Sequence, residues 1–140
     1  MRLFATTIDI SASPDRVWSV MSDIERWHEW TASITSVERL TSGALAIGSK
    51  ARVRQPKLLP AVFDVTSWDP PRSFEWVTRS GGVTAVARHS VEPLGAGARA
   101  HLSVEFSGLL APLVVWFAGD LTNRYLEMEA AGLKRRSEQE

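Results

Sequence analysis

The stretch that decides the fold is the opening one: Leu3-Phe-Ala-Thr-Thr-Ile-Asp-Ile10, then Ser11-Ala-Ser13-Pro14-Asp15-Arg16-Val17-Trp18, then Ile24-Glu-Arg-Trp27-His28-Glu29-Trp30. Leu3 to Ile10 reads as a strand. It meets Ser13, which can cap a helix whose first residue is Pro14, because the N–H that proline lacks has no partner at a helix start anyway. Val17, Trp18 and Met21 give that helix an apolar side, and Ser22-Asp-Ile-Glu25 has the spacing of a capping box that begins a second short helix. One strand, two abutting helices and several large aromatics thus precede any second strand. That order implies a sheet gripped from one end, and it turns the functional question toward a cavity.

Beyond Trp30 the pattern changes from helical spacing to alternation punctuated by turn residues. Strands are expected at Ser33 to Thr41, Gly48 to Gln55, Ala61 to Trp68, Arg72 to Arg79, Val83 to Glu92 and Ala98 to Ser107. Their alternation places Ala51, Val53 and Gln55, then Phe63 and Val65, then Phe74, Trp76 and Thr78 on one face. Val83, Ala85, Ala87, His89 and Val91 share that face, as do Ala100, Leu102, Val104 and Phe106. Lys50, Arg52 and Arg54 point the other way, with Asp64, Glu75, Val77, Glu92 and Glu105. Six successive strands joined by short turns make an antiparallel meander.

From about Leu109 to Arg136 the spacing becomes helical. Leu110, Leu113, Val114, Phe117, Leu121, Arg124, Tyr125, Met128 and Ala131 are expected on one stripe. Gly119 and Gly132 each lower intrinsic helix stability by about 1 kcal/mol relative to Ala, so packing must hold the helix together, with room for a bend near Gly119. Ser137 to Glu140 reads as a frayed end.

Composition limits what the chain can do. Its 140 residues suit one domain spanning 1–140. Lys plus Arg number 16 against 16 Asp plus Glu, so no global field favours nucleic acid. With no cysteine there are no disulfides, thiolate metal sites or cysteine nucleophiles. The opening residues do not form a signal peptide, which predicts a cytoplasmic protein. The longest apolar run, Leu109 to Gly119, is about half the roughly 20 residues of a spanning helix, so no integral membrane segment is expected.

The sheet has one apolar face, and only the last helix is long enough to cover it. The sheet must therefore curl around that helix. A helix about 10 Å across does not fill the concavity of a seven-stranded curved sheet, so the remaining space is packed with side chains or left as a pocket. Both kinds of lining are present: bulky Phe63, Phe74, Trp76, Phe106 and Phe117, and small Ala51, Ala85, Ala87 and Ala100. A pocket so lined is apolar with few polar points, as small-molecule sites are.

Several of these residues also carry a family resemblance. Ile8-Asp-Ile10, Ser13-Pro14-Asp15-Arg16-Val17-Trp18, Trp27-His28-Glu29-Trp30, the turn Trp68-Asp-Pro-Pro-Arg72, the strand Phe74-Glu-Trp76 and the long terminal helix resemble the polyketide cyclase/dehydrase and lipid-transport group. This group (SRPBCC) lies within the START and Bet v 1-like superfamily. The resemblance spans essentially the whole chain. It implies an α+β helix-grip fold: a seven-stranded curved antiparallel sheet wrapped around a long C-terminal helix, with two short helices after the first strand. It also implies a cavity for a hydrophobic or aromatic ligand such as a polyketide, lipid or isoprenoid-like compound. It brings no invariant catalytic motif and no cofactor.

The expected ligand contacts are Gln55, Phe63, Phe74, Trp76, Thr78 and His89 on the strands, with Phe106. On the helix they are Phe117, Leu121, Arg124, Tyr125 and Met128. His89 is the best acid or base, since it points inward and its unperturbed pKa lies near neutrality; its other reading is a buried, hydrogen-bonded histidine. Gln55 and Thr78 could bond a ligand oxygen, or satisfy each other or a water. Arg124 could anchor a carboxylate or enolate, or snorkel to the mouth or pair with a helix acid. The Tyr125 hydroxyl could orient a ligand, or reach the surface while the ring packs in the core.

Other motifs fall away. Trp27-His28-Glu29-Trp30 is not a metal-ligand set, because no H-E-x-x-H spacing exists and His89 and His101 lie on opposite faces. Gly95-Ala-Gly97-Ala-Arg-Ala100 leads into a strand and offers no helix N-terminus to a pyrophosphate. The row Lys50, Arg52, Arg54 is more simply a set of cross-strand ion pairs than a nucleic-acid stripe. Binding is therefore the primary functional expectation. The first alternative is an aromatase-type polyketide cyclase/dehydrase with His89 as proton shuttle and Arg124, Gln55 or Tyr125 polarising a carbonyl. The second is a protein-interaction module using the Pro56 to Pro60 loop and the apolar start of the last helix. Oligomeric state stays open, a homodimer included.

Overall fold

Alternation in the sequence becomes one seven-stranded antiparallel sheet in the computed structural model, which describes residues 1–139. The elements are β1 (Arg2–Ile10), α1 (Pro14–Ser22), a 3-10 helix (Ile24–Glu29), β2 (Ser36–Arg39), β3 (Lys50–Arg54), β4 (Ala61–Asp69), β5 (Ser73–Ser80), β6 (Val83–Leu94), β7 (Gly97–Ser107) and α2 (Ala111–Glu138). β2 to β7 form a meander, and β1 closes onto β7, giving the order β1-β7-β6-β5-β4-β3-β2. A register shift between Val65 and Ser67 bends β4 against β5. α2 lies against β1, with lesser packing on β7 and α1 and little on β6. Two ends follow from this antiparallel layout. At the open end β1 and α2 begin and the β3–β4 and β5–β6 connections turn; at the grip end β1 leaves into α1 and α2 finishes.

The opening corner forms as its residues dictate. Ser13 is extended (φ −65°, ψ 153°), its Oγ accepts from the Arg16 N–H at 3.2 Å, and Pro14 opens α1. Ser13→Ala should lower stability by about 1 kcal/mol. A urea melt would show a lower midpoint at unchanged slope, while Ser11→Ala serves as control because only the Ser11 backbone N–H is engaged, by Glu138.

The corner also holds the far end of α2. The Arg16 guanidinium donates to the backbone oxygens of Arg136, Ser137 and Gln139, and Lys134 Nζ donates to Asp9 O. The Arg16 contacts satisfy carbonyls that a helix C-terminus leaves unpaired, while the Lys134 contact ties the helix to β1. The expected fray of Ser137 to Glu140 is corrected at its start, since α2 continues to Glu138 and Ser137 is buried; Glu140 lies outside the described residues.

Other local expectations shift. No capping box forms, because Ser22 is the last residue of α1 and the 3-10 helix starts without a side-chain cap; Glu25 instead accepts from the Arg39 N–H. The Ser33 to Thr41 strand shrinks to Ser36–Arg39. Val77, expected outside, is buried between its pairing partners Asp64 and Val86. On the outer face Lys50 pairs with Asp64 and Arg52 with Glu38, while Glu75 and Glu105 are taken by Arg88 and Glu92 by His101.

α2 is rotated relative to its expected phase. Its sheet-facing stripe holds Ala111, Gly119, Leu126, Glu129, Ala130, Leu133 and Ser137, whereas Phe117, Arg124 and Ala131 face solvent. Close approach explains the rotation. Gly119 lies under the Phe4 ring and Gly132 against the Trp30 carbonyl, so small residues occupy the contact and bulky ones are left outside.

Candidate functional site

Two inward positions on neighbouring elements create the one buried titratable pair in the core of the described residues. His89, at the middle of β6, is 5 % exposed, and its Nε2 lies 3.1 Å from Oε1 of Glu129 on α2, itself 9 % exposed. An ionised carboxylate only accepts, so with Glu129 charged Nε2 carries the proton and donates it. A neutral ring then keeps its lone pair on Nδ1, which is buried and has no partner. With Glu129 of α2, β5 and the 3-10 helix build the surrounding box. Phe74 stacks on the imidazole at 4.5 Å and 6°, Trp27 from the 3-10 helix sits at 5.2 Å, and Trp76 meets it edge-on at 6.1 Å. Register explains the stack, because Phe74 is the direct cross-strand partner of His89.

From this closed end the inner face opens outward. Phe63 leans on Trp76 at 5.1 Å, yet Phe63, Thr78, Val104 and Phe106 all remain partly exposed although their phase points into the concavity. Phe106 meets Phe4 edge-on at 6.0 Å. Leu121 and Met128 are half-buried on the helix above. Tyr125 is buried, and its hydroxyl donates to the Pro56 carbonyl, tying α2 to the start of the β3–β4 loop. Of the two roles expected for Tyr125, the ring packs in the core and the hydroxyl ends on the carbonyl of exposed Pro56, a strap across the open side. Gln55 is also committed: its Nε2 donates to Ser33 O at 3.2 Å, and not to Thr78.

The structure therefore brings Phe63, Phe74, Trp76, Thr78, His89 and Phe106 onto one concave surface under Leu121, Tyr125 and Met128. It leaves out Phe117, 74 % exposed, and Arg124, both on the outer side of α2. Arg124 cannot polarise a group inside from there. Glu129 is the residue that sequence reasoning missed. Its signal was present, since Leu126, Ala130 and Leu133 surround it at helical spacing, but the stripe phased on Phe117 and Tyr125 does not include it. His28 is exposed and Glu29 accepts from Arg136 at 2.7 Å, a hydrogen bond that holds the Glu29 carboxyl below its usual range.

Among the described residues, clefts open at the surface toward the grip end. One of about 470 Å³ lies between Asp9 to Ala12, the β6–β7 turn and Lys134; another, about 230 Å³, between α1 and Arg136. Neither includes a residue of the concave surface. In the first, Arg99 hydrogen-bonds Asp9 and holds its carboxyl below the usual range, so the wall there is an ion pair with a lysine beside it.

A family model described as polyketide cyclase/dehydrase and lipid transport matches residues 1–138. No curated protein matches the chain in sequence. Among solved structures it is similar to a START superfamily protein of Mycobacterium smegmatis, at 22 % identity and TM-score 0.73, covering 98 % of this chain and 97 % of that one. It is similar to Ara h 8.0201 at 15 % identity and TM-score 0.72, covering 99 % of both chains. It also resembles the di-domain ARO/CYC protein BexL from the BE-7585A biosynthetic pathway, at 17 % identity and TM-score 0.77, over 99 % of this chain and 47 % of that one. At these identities the likeness establishes the helix-grip fold.

Proposed function

Because the chain belongs to the polyketide cyclase/dehydrase and lipid transport family, we propose that it binds an apolar or aromatic small molecule between the concave sheet and α2. The observation that carries this reading is the partial exposure of Phe63, Thr78, Val104 and Phe106 on the inward phase. In a core filled by its own side chains these positions would be buried like Phe74 and Leu102. An elongated or planar ligand would cover them and end against the aromatic box. Tyr125 and the Pro56 to Pro60 loop would flank its entry. Polyketide, fatty acyl and isoprenoid-like compounds all fit such a lining.

Blocking the gap tests this. The wild-type chain should quench its tryptophans saturably, one ligand per chain, on titration with a long-chain fatty acid or a fused-ring aromatic phenol. Thr78→Trp should weaken binding by about tenfold or more while the fold persists, since overpacking costs more where a ligand must also fit. Unchanged affinity in that variant, or no saturable binding of either probe, would overturn the reading.

A second reading rests on the His89–Glu129 pair. A carboxylate that accepts from one imidazole nitrogen and leaves the other with its lone pair is the arrangement of a general base. In a cyclase or dehydratase, Nδ1 would take a proton from carbon next to a carbonyl and return it to a departing hydroxyl.

A further inference from the structure

The exposed apolar side chains of the described residues are unevenly placed. Leu40, Ile47 and Leu94 lie toward the grip end or the β2 edge; all the other large ones sit at the open end. Leu109 and Leu110 lie in the turn that leads into α2, and Leu113, Trp116 and Phe117 on its first turns, with Leu109 at 94 % and Trp116 at 76 % exposure. Leu58 and Leu59 project from the β3–β4 loop, and Met1 and Leu3 from the start of β1. A large aromatic carries roughly 150–250 Å², so Trp116 and Phe117 alone leave about 200–400 Å² uncovered, already the size of a functional patch. The first turns of α2 are apolar all round, with Ala111 and Gly119 on the sheet side and these residues outside. Such a helix needs apolar cover on both sides.

Basic side chains outnumber acidic ones at this end. Arg2, Lys57 and Arg79 are exposed there, with Arg124 exposed midway along α2, and among the described residues none of the four forms an ion pair. From Gly108 to Asn123 the only charged residue is Asp120. The chain is neutral overall, so this cationic rim is a local feature. We propose that the open end docks on an anionic lipid surface, with Trp116 and Phe117 inserted at the headgroup boundary and the four basic side chains among the phosphates. The attachment is peripheral, since no helix is long and apolar enough to cross a membrane.

A second copy fits the patch less well. A twofold contact would face the two cationic rims toward each other, and the outer series Leu109, Leu113, Trp116 stops at Asp120, too soon for a helix-to-helix seam. Docking is independent of the ligand reading: vesicle binding needs no ligand, so either can fail alone.

Co-sedimentation with vesicles of equal parts phosphatidylcholine and phosphatidylglycerol tests it, against phosphatidylcholine alone. Binding should be about tenfold or more stronger on the anionic vesicles and should weaken with added salt. Trp116→Ser with Phe117→Ser should lose about tenfold or more of it. That variant should melt like the wild type, because both side chains are about three-quarters exposed. Lys57→Glu with Arg124→Glu should reduce the anionic component only. No binding to anionic vesicles, or full binding by the double serine variant, overturns the proposal. So does a dimer that the serine variant abolishes while vesicles are ignored, which would make the patch a self-association face.

Discussion

Gly132→Ala should destabilise the protein by about 2–4 kcal/mol, whereas Gly119→Ala, in the same helix, should be neutral or stabilising by up to about 1 kcal/mol. Helix propensity alone gives both changes the same favourable sign. Packing separates them. A Cβ on Gly132 would lie 2.0 Å from the Trp30 carbonyl oxygen, a backbone atom that also accepts a 2.8 Å hydrogen bond from Arg135 and so cannot retreat without losing it. A Cβ on Gly119 would meet the Phe4 ring at 3.3 Å, and that half-buried ring can tilt. Thermal and urea melts of the two variants decide, with Tm for Gly132→Ala expected to fall by on the order of 10 °C. Equal effects would mean that α2 does not approach the 3-10 helix as closely as described. The consequence reaches the site, because Trp30 packs on Trp27 and Trp27 forms one wall around His89.

The same glycines show what was legible beforehand. Strand alternation, the Ser13-Pro14 corner and the single long helix carry the fold, because each is a local pattern with a local cause. The inward set Phe63, Phe74, Trp76, His89 and Phe106 was readable too, since period-2 alternation fixes a face once the strand is fixed. The rotation of α2 was not. Its helix is apolar on more than one side near its start, so hydrophobicity gives no unique stripe, and the phase is set by where glycine and alanine permit contact with β1 and Trp30. That ambiguity misplaced Phe117 and Arg124 inside and left Glu129 out of the expected stripe. The charged cap of Arg16 on the end of α2 was likewise invisible, because it joins residues about 120 positions apart.

Glu129→Leu and His89→Phe should each cost about 1–3 kcal/mol, and the double variant should cost less than their sum by about 1 kcal/mol or more. Each single change leaves one buried polar group without its partner. The double change replaces both by apolar groups of similar shape, and Phe at position 89 keeps the stack on Phe74. Glu129→Gln is expected to be milder, since its amide oxygen can still accept from Nε2. Strict additivity in the melts would mean that the 3.1 Å contact contributes nothing. The folded double variant then separates the two functional readings. A binder needs the aromatic box and the open concave surface, both retained, so its affinity for an apolar probe should stay within a few-fold of wild type. A cyclase or dehydratase needs the Nδ1 lone pair, which no residue in the double variant supplies, so turnover of a poly-β-keto mimic should disappear while binding persists. Glu129→Gln sharpens the distinction, because it keeps the ring in place but removes the charge that would stabilise an imidazolium, lowering turnover without moving affinity.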